Sequence, residues 1–260
     1  MLNDTFEQLD IPGYSVARRF TAVSSTMDVA RSLLVEGSAP KERGVVVAEQ
    51  QLAGRGRQGR SWFAAEGAFI ATFIFGYEGS VATLSGYSLA VGVALGDALQ
   101  RLGVPVRLKW PNDLVVCFGN NLRKLGGILI EIEEVRGHRY VLVGIGINVE
   151  SLPAEVEDIA VGVAQLRSPP LSARQLLAPF ASSLLAMHEQ FVQAGGLGAF
   201  VERWRHLSCF RQGETTLGVD VGSDVVEGVY SGIDPSGALV LQANDRQRLI
   251  HSGHLVRISI

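Results

Sequence analysis

Gln51-Leu52-Ala53-Gly54-Arg55-Gly56-Arg57-Gln58-Gly59-Arg60-Ser61-Trp62 is followed a few residues later by Gly67-Ala68-Phe69-Ile70-Ala71-Thr72-Phe73-Ile74-Phe75. The order of these two stretches decides the fold. Gly54-x-Gly56-x-x-Gly59 has the spelling of a dinucleotide-binding turn, but that turn must open into a helix. Here a β-rich run follows, and the apolar strand Gly44-Val45-Val46-Val47-Ala48 precedes it. Strand, loop, strand argues against a doubly wound sheet. Glycine permits a tight turn and close approach to a ligand, and arginine supplies a permanent charge on a planar fork of donors. The stretch therefore reads either as a solvated basic loop or as one that folds over a nucleotide or an acyl phosphate.

Working outward, 260 residues allow one large domain, or one plus a small one. Apolar content of 47% and charged content of 19% fit a globular chain. A net charge of -3 gives no global attraction to nucleic acid, so the arginine cluster is local. Cys117 and Cys209 are far apart and lack a CxxC partner, which fits a reducing compartment and argues against a disulfide or zinc scaffold. Met1 to Asp10 is not a signal segment. The apolar region Leu84 to Leu99 carries Ser85, Ser88 and Asp97 and falls short of a membrane span. A cytoplasmic protein with no membrane partner is expected.

Phe20 to Val23 reads as a short strand, and Ser24-Ser25-Thr26-Met27-Asp28 as the capped start of a helix. Leu84, Val91, Leu95, Leu99 and Leu102 recur at helical spacing with small residues between them, so that helix is buried. Val106 to Trp110, Leu114 to Val116, Ile128 to Ile132 and Tyr140 to Ile147 read as strands, with turns at Gly119-Asn120-Asn121 and Arg136-Gly137-His138. Tight turns mean antiparallel pairing. Alternate glycines in Gly144-Ile145-Gly146-Ile147-Asn148 leave one strand face bare, for a ligand or another backbone. Leu171 to Gln193 predicts a long helix kinked or divided at Pro179, and Leu197 to Leu207 a second. From Gly213, five short β runs separated by turn clusters fit a small barrel. The fold class expected is α+β: a mixed, largely antiparallel sheet flanked by helices (1–210), then an SH3-like β-barrel (211–260).

There is no P-loop, HExxH or GxSxG motif. The histidines form no ligand cluster, and His251 and His254 read as surface strand residues. Lys109 precedes Pro111, and Lys124 sits beside Gly126 and Gly127. Arginine loop, lysine and bare glycine strand together would make an anion pocket with an apolar floor.

These motifs resemble, in order, those of the biotin protein ligases. The arginine loop is similar to that family's ligase loop. Lys109-Trp110-Pro111-Asn112-Asp113, Arg123-Lys124-Leu125-Gly126-Gly127-Ile128-Leu129 and Gly144 to Asn148 are similar to its next three motifs, and Ser25-Thr26-Met27 stands at its N-terminal biotin motif. The resemblance runs over nearly the whole chain. It implies a core related to class II aminoacyl-tRNA synthetases and the biotin–lipoate ligases.

It also implies roles. Ser25, Thr26 and Gln51 would hydrogen-bond the biotin ureido ring, with Gly54, Gly127 and Gly144 lining ring and valeryl chain. Arg55 and Arg57 would hold the biotin carboxylate and ATP phosphates, and Lys124 would bridge carboxylate and α-phosphate. Trp62 and Asn148 would contact adenine; Asn112 and Asp113 would serve the nucleotide and Mg²⁺, Asp113 being the one candidate metal contact. Arg55, Lys124 and Asp113 are the catalytic candidates. The activity implied is ATP-dependent biotinylation of a biotin carboxyl carrier protein domain such as that of acetyl-CoA carboxylase, with a homodimer left open. A lipoate or octanoate ligase or transferase, and a non-catalytic biotinyl-AMP-binding regulator, are the alternatives. Two departures stand out: Met27 where some relatives carry a polar residue, and His254 where an acidic residue is more usual. About 20 residues precede the first expected strand, too few for a DNA-binding domain.

Overall fold

The computed structural model describes residues 5–37, 43–119, 121–222, 224–244 and 246–259. Strand β1 (Phe6–Gln8) and β2 (Val16–Val23) lead into α1 (Thr26–Val35), β3 (Arg43–Gln51) and β4 (Phe69–Gly76). Helix α2 (Tyr87–Arg101) is followed by β5 (Arg107–Lys109), β6 (Asp113–Phe118), β7 (Asn121–Val135) and β8 (His138–Ile147). Helices α3 (Ala173–Ala194) and α4 (Val201–Leu207) precede β9 (Thr216–Asp220), β10 (Val225–Ile233), β11 (Leu239–Ala243), β12 (Arg246–Ile250) and β13 (His254–Ser259).

Two sheets result. The larger has the order β1-β2-β3-β4-β8-β7-β6-β5, the smaller β12-β11-β10-β9-β13. Among the strands of the described residues, β2 and β3, joined through α1, pair in parallel and the other strand pairs are antiparallel. This is the expected α+β architecture. The small exposed β1 escaped the sequence reading, and the turn residue Asn120 lies outside the described residues.

The middle of the large sheet is buried on both faces, which is why β3 and β4 read as continuous apolar runs. Val46, Ala48, Ile74 and Leu142 pack against α1 through Val29, Leu33 and Leu34. Val45, Phe73, Phe75 and Val143 face the other way, onto the core built by α2 and α3. With the 3-10 turn before it, α2 forms a 21-residue stretch apolar and long enough to cross a membrane, longer than its sequence suggested. It packs as a core helix here, with Tyr87, Leu89, Val91, Leu95 and Leu99 all buried.

Helix α3 is not divided. Pro179 sits inside a continuous helix opened at Ser172, whose backbone N–H donates to Gln175 Oε1 at 2.8 Å, and closed by Gly195 in the left-handed region (φ 70°). The smaller sheet is fastened to the larger one by Trp110, whose indole N–H donates to the Gly237 carbonyl at 3.1 Å, and by the Ser85 hydroxyl, 2.6 Å from the Ser236 carbonyl.

Candidate functional site

A cleft of about 230 Å³ opens where α1, β4, β7 and β8 meet the arginine loop, and Gly253, His254 and Leu255 of the smaller sheet close one side of it. Its floor follows from local sequence. Glycines at 127, 144 and 146 leave β7 and β8 bare there, and Ile70, Leu129 and Ile145 supply apolar surface. Neither glycine of β8 is vacant surface. A Cβ on Gly144 would lie 3.1 Å from the Met27 sulfur, and one on Gly146 would lie 2.6 Å from the Trp62 indole. The Trp62 ring lies against Gly146, its buried N–H without a partner among the described residues.

One end of the cleft is neutral and polar. Ser25 occupies the N-cap position of α1, but its side chain makes no capping bond, contrary to the sequence expectation. The Thr26 amide instead donates to Gln51 Oε1 at 2.9 Å, and the Thr26 hydroxyl lies 3.3 Å from the same oxygen. Ser25, Thr26 and Gln51 are thus brought together on the cleft wall. Thr72, in the middle of β4, donates to the Thr26 hydroxyl at 2.9 Å. It was missed in the sequence, although a threonine inside the run Phe69 to Phe75 was signal enough, since a buried hydroxyl needs a partner.

The other end is cationic. The β6–β7 register slips between Leu114 and Val115, so that Gly126 and Lys124 face consecutive residues and Leu125 is the extra one. The bulge lets Leu125 enter the core while Lys124 reaches the cleft on the same side as Gly127. Lys124 Nζ is 2.6 Å from Asp113 Oδ1 and 5.3 Å from the Trp62 ring centroid. Asp113 is the one carboxylate among the described residues that line the cleft, which Arg57, Arg60 and Lys109 also line. Burial pulls the Arg57 guanidinium below its ordinary pKa, Asp113 opposes this, and Arg60 adds to it.

Two assignments from the sequence change, those of Gly54 and Asn148. Arg55 lines the cleft and turns its fork onto Asp28, with two bonds at 2.9 and 2.6 Å, and this contact is the main reason the Asp28 carboxyl sits below its usual range. Gly54 does not line the cleft: a Cβ there would stand 2.3 Å from the Trp62 carbonyl, so glycine serves the close crossing of the loop's two arms. Asn148 is buried behind the wall, its amide directed at the Lys124 and Val161 carbonyls (3.3 and 3.5 Å), so it braces the Lys124 backbone. His254 is an exposed residue of strand β13, as its sequence suggests, and it also lines the cleft. Its ring nitrogens lie 3.3 and 3.4 Å from Arg60 Nη1, and burial, then Arg60 and Lys109, hold its pKa below the ordinary value. Asn112 lines the cleft but gives its side-chain N–H to the Ile128 carbonyl at 2.7 Å.

The cleft of this mixed sheet thus joins a neutral polar end to a cationic end, and the small β-sheet closes one side of it. Residues 19–148 match the biotin/lipoate A/B protein ligase family, and residues 214–254 match the biotin protein ligase C-terminal domain. The biotin–[acetyl-CoA-carboxylase] ligase of Mycobacterium tuberculosis is 30% identical over 249 residues, covering 93% of this chain and 90% of that protein. The bifunctional ligase/repressor BirA of Salmonella typhimurium is 36% identical over 201 residues, 75% of this chain but 61% of that protein's length. A biotin protein ligase from Aquifex aeolicus, solved with biotin and ATP, superposes with a TM-score of 0.75 at 23% identity over 95% of this chain and 99% of that one. The chain belongs to the biotin protein ligase family.

Proposed function

We propose that this chain activates biotin with ATP to biotinyl-5′-AMP and transfers the biotinyl group to a lysine of a biotin carboxyl carrier protein domain, residues 1–210 forming the catalytic domain and 211–260 the C-terminal one. The observation that carries the reading is the cleft itself: Ser25, Thr26 and Gln51 at one end, and Lys124, Arg57, Arg60 and Lys109 around Asp113 at the other. The ureido ring lies at the polar end, the valeryl chain runs past Gly127 and the Met27 side chain that rests on Gly144, and the carboxylate reaches Lys124 and Arg57.

In the first step a carboxylate oxygen attacks the α-phosphorus, the bond to the bridging oxygen of the β-phosphate breaks, and pyrophosphate leaves with the electron pair. Two anions must meet for this, and cations fixed beforehand offset their repulsion and stabilise the developing charge. Lys124 is placed for this by the bulge and by Asn148 behind it. Where Mg²⁺ accompanies the ATP phosphates, Asp113, the carboxylate of the cleft lining, would hold it, and the ion would supply charge to offset that of the phosphates. In the second step the acceptor amine attacks the acyl carbon, AMP leaves, and Asp113 is the cleft carboxylate able to take the amine proton. Adenine stacks near Trp62.

A lipoyl or octanoyl substrate suits the cleft poorly, because neither offers partners for Thr26 and Gln51. The test is biotin-dependent exchange of labelled pyrophosphate into ATP, followed by the mass shift of a carrier domain. Exchange with lipoate but not with biotin would refute the proposal.

A further inference from the structure

The hydrogen bonds at the polar end fix every proton in a chain of three side chains. A backbone N–H can only donate, so the Gln51 atom 2.9 Å from the Thr26 amide is its carbonyl oxygen. That oxygen can only accept, so the Thr26 hydroxyl, 3.3 Å away, spends its proton on it. Having done so, Thr26 can only accept from Thr72, and the 2.9 Å bond between the two hydroxyls must run from Thr72 to Thr26. Thr72 is fully buried and faces Gly144 across the β4–β8 pair, and among the described residues Thr26 is the partner its hydroxyl has. Among the described residues Gln51 Nε2 has no acceptor, and Gln51 and Thr26 both line the cleft.

We propose that Thr72 is a positioning residue for ligand recognition. The Thr26 amide turns Gln51 so that its Nε2 donors are left for a ligand, and Thr72, by donating to Thr26, holds that hydroxyl in place and takes one of its two lone pairs, leaving the other for the ring. The ring selected is one in which a carbonyl oxygen stands next to an N–H, the pattern of a cyclic urea. This rests on the proposed use of biotin and adds a residue behind the wall that steadies the acceptor Thr26 offers.

The test compares Thr72→Val, which keeps the shape and removes the hydroxyl, with Thr72→Ser, which keeps the hydroxyl and removes a methyl. In biotin-dependent pyrophosphate exchange, Thr72→Val should raise KM for biotin about fivefold, the loss expected for one hydrogen bond, with KM for ATP unchanged. Thr72→Ser should stay within about twofold of wild type on the same scale. A packing role predicts the reverse order, and that result would overturn the proposal. Should the valine variant melt near the assay temperature, 2-iminobiotin reads the same polarity in the wild type. Its protonated guanidinium has only donors. It should bind at least about tenfold more weakly than biotin, and Gln51→Glu should narrow that ratio. Equal binding of the two by the wild type would overturn the relay. Wild-type protein inactive with biotin refutes the proposed function and this inference together, whereas an active wild type with an unchanged Thr72→Val refutes this inference alone.

Discussion

Gly146→Ala separates the role of Trp62 from the stability of the sheet. The added Cβ would stand 2.6 Å from Trp62 Cε2 and Nε1 and 2.8 Å from Cζ2. Carbon atoms rest at about 3.5–4.0 Å, so one side must yield by about 1 Å. Strand β8 is buried and paired on both sides, by β4 and β7, whereas Trp62 sits on a loop. The indole therefore moves, and carries its face away from Lys124 Nζ. An overpacked contact costs about 1–3 kcal/mol, lower here because the ring can swing toward the cleft. A 1 Å displacement at a reacting centre can cost about 100-fold. The expected outcome is a small loss in urea stability with a fall of about 10- to 100-fold in kcat/KM for pyrophosphate exchange. Since Trp110 and Trp204 are both buried, a red shift in tryptophan emission would report the movement of Trp62. In a Trp62→Leu background the same glycine substitution should cost less than about twofold, because the clash has gone. Full kcat/KM in Gly146→Ala would refute the reasoning.

Three further outcomes follow from the geometry. Lys124→Met should lower exchange by about 100- to 1000-fold, and Lys124→Arg should not restore it, because a planar fork cannot replace a compact ammonium 2.6 Å from Asp113; near-wild-type exchange in either variant would contradict this. Asp28→Asn should shift stability by less than about 1 kcal/mol, as its ion pairs are over a third exposed, yet raise KM for biotin because Arg55 is released; an unchanged KM would contradict this. His188, stacked on Phe75 and 2.8 Å from the Tyr87 hydroxyl, has its pKa pushed down from 6.5 to about 4, mainly by burial. The neutral ring is the one the fold accepts, so its contribution is complete above pH 6.5, is lost as pH falls toward 4 by about 3 kcal/mol in all, and levels off below. Urea midpoints across that range should lose this slope in His188→Gln, and an equal slope in both proteins would refute the assignment.

What the sequence made legible was whatever a period of two or of 3.6 records. The runs at Val45 to Glu49 and Phe69 to Phe75 became β3 and β4, and the five short runs after Gly213 became β9 to β13. The motif residues Ser25, Thr26, Gln51, Arg57, Asp113, Lys124 and Gly144 converge on one cleft. What stayed hidden depends on contacts between distant segments. Simple alternation puts Lys124 and Gly127 on opposite faces of β7, and only the bulge at Leu125 unites them. Asp28 reads as an ordinary first-turn acid of a helix, and nothing local says that it meets Arg55. Asn148 ends a glycine strand and so looks like a ligand contact, but its partner is the neighbouring Lys124 backbone.

The arginine loop is where this difference matters most for mechanism, because its three arginines look alike in sequence and differ in the fold. Arg55 is tied to Asp28 on α1, and Arg60 faces His254 on β13. Trp62 lies on Gly146 of β8. The loop thus rests on three elements, one of them in the smaller sheet. Between these supports Arg57 makes no hydrogen bond or salt bridge through its guanidinium among the described residues, and burial works against its charge. A half-buried cation without a paired carboxylate is costly until an anion arrives. Under the proposed function, Arg57 is therefore the arginine for which anion binding would yield the most, while Arg55 and Arg60 would hold the position from which it acts.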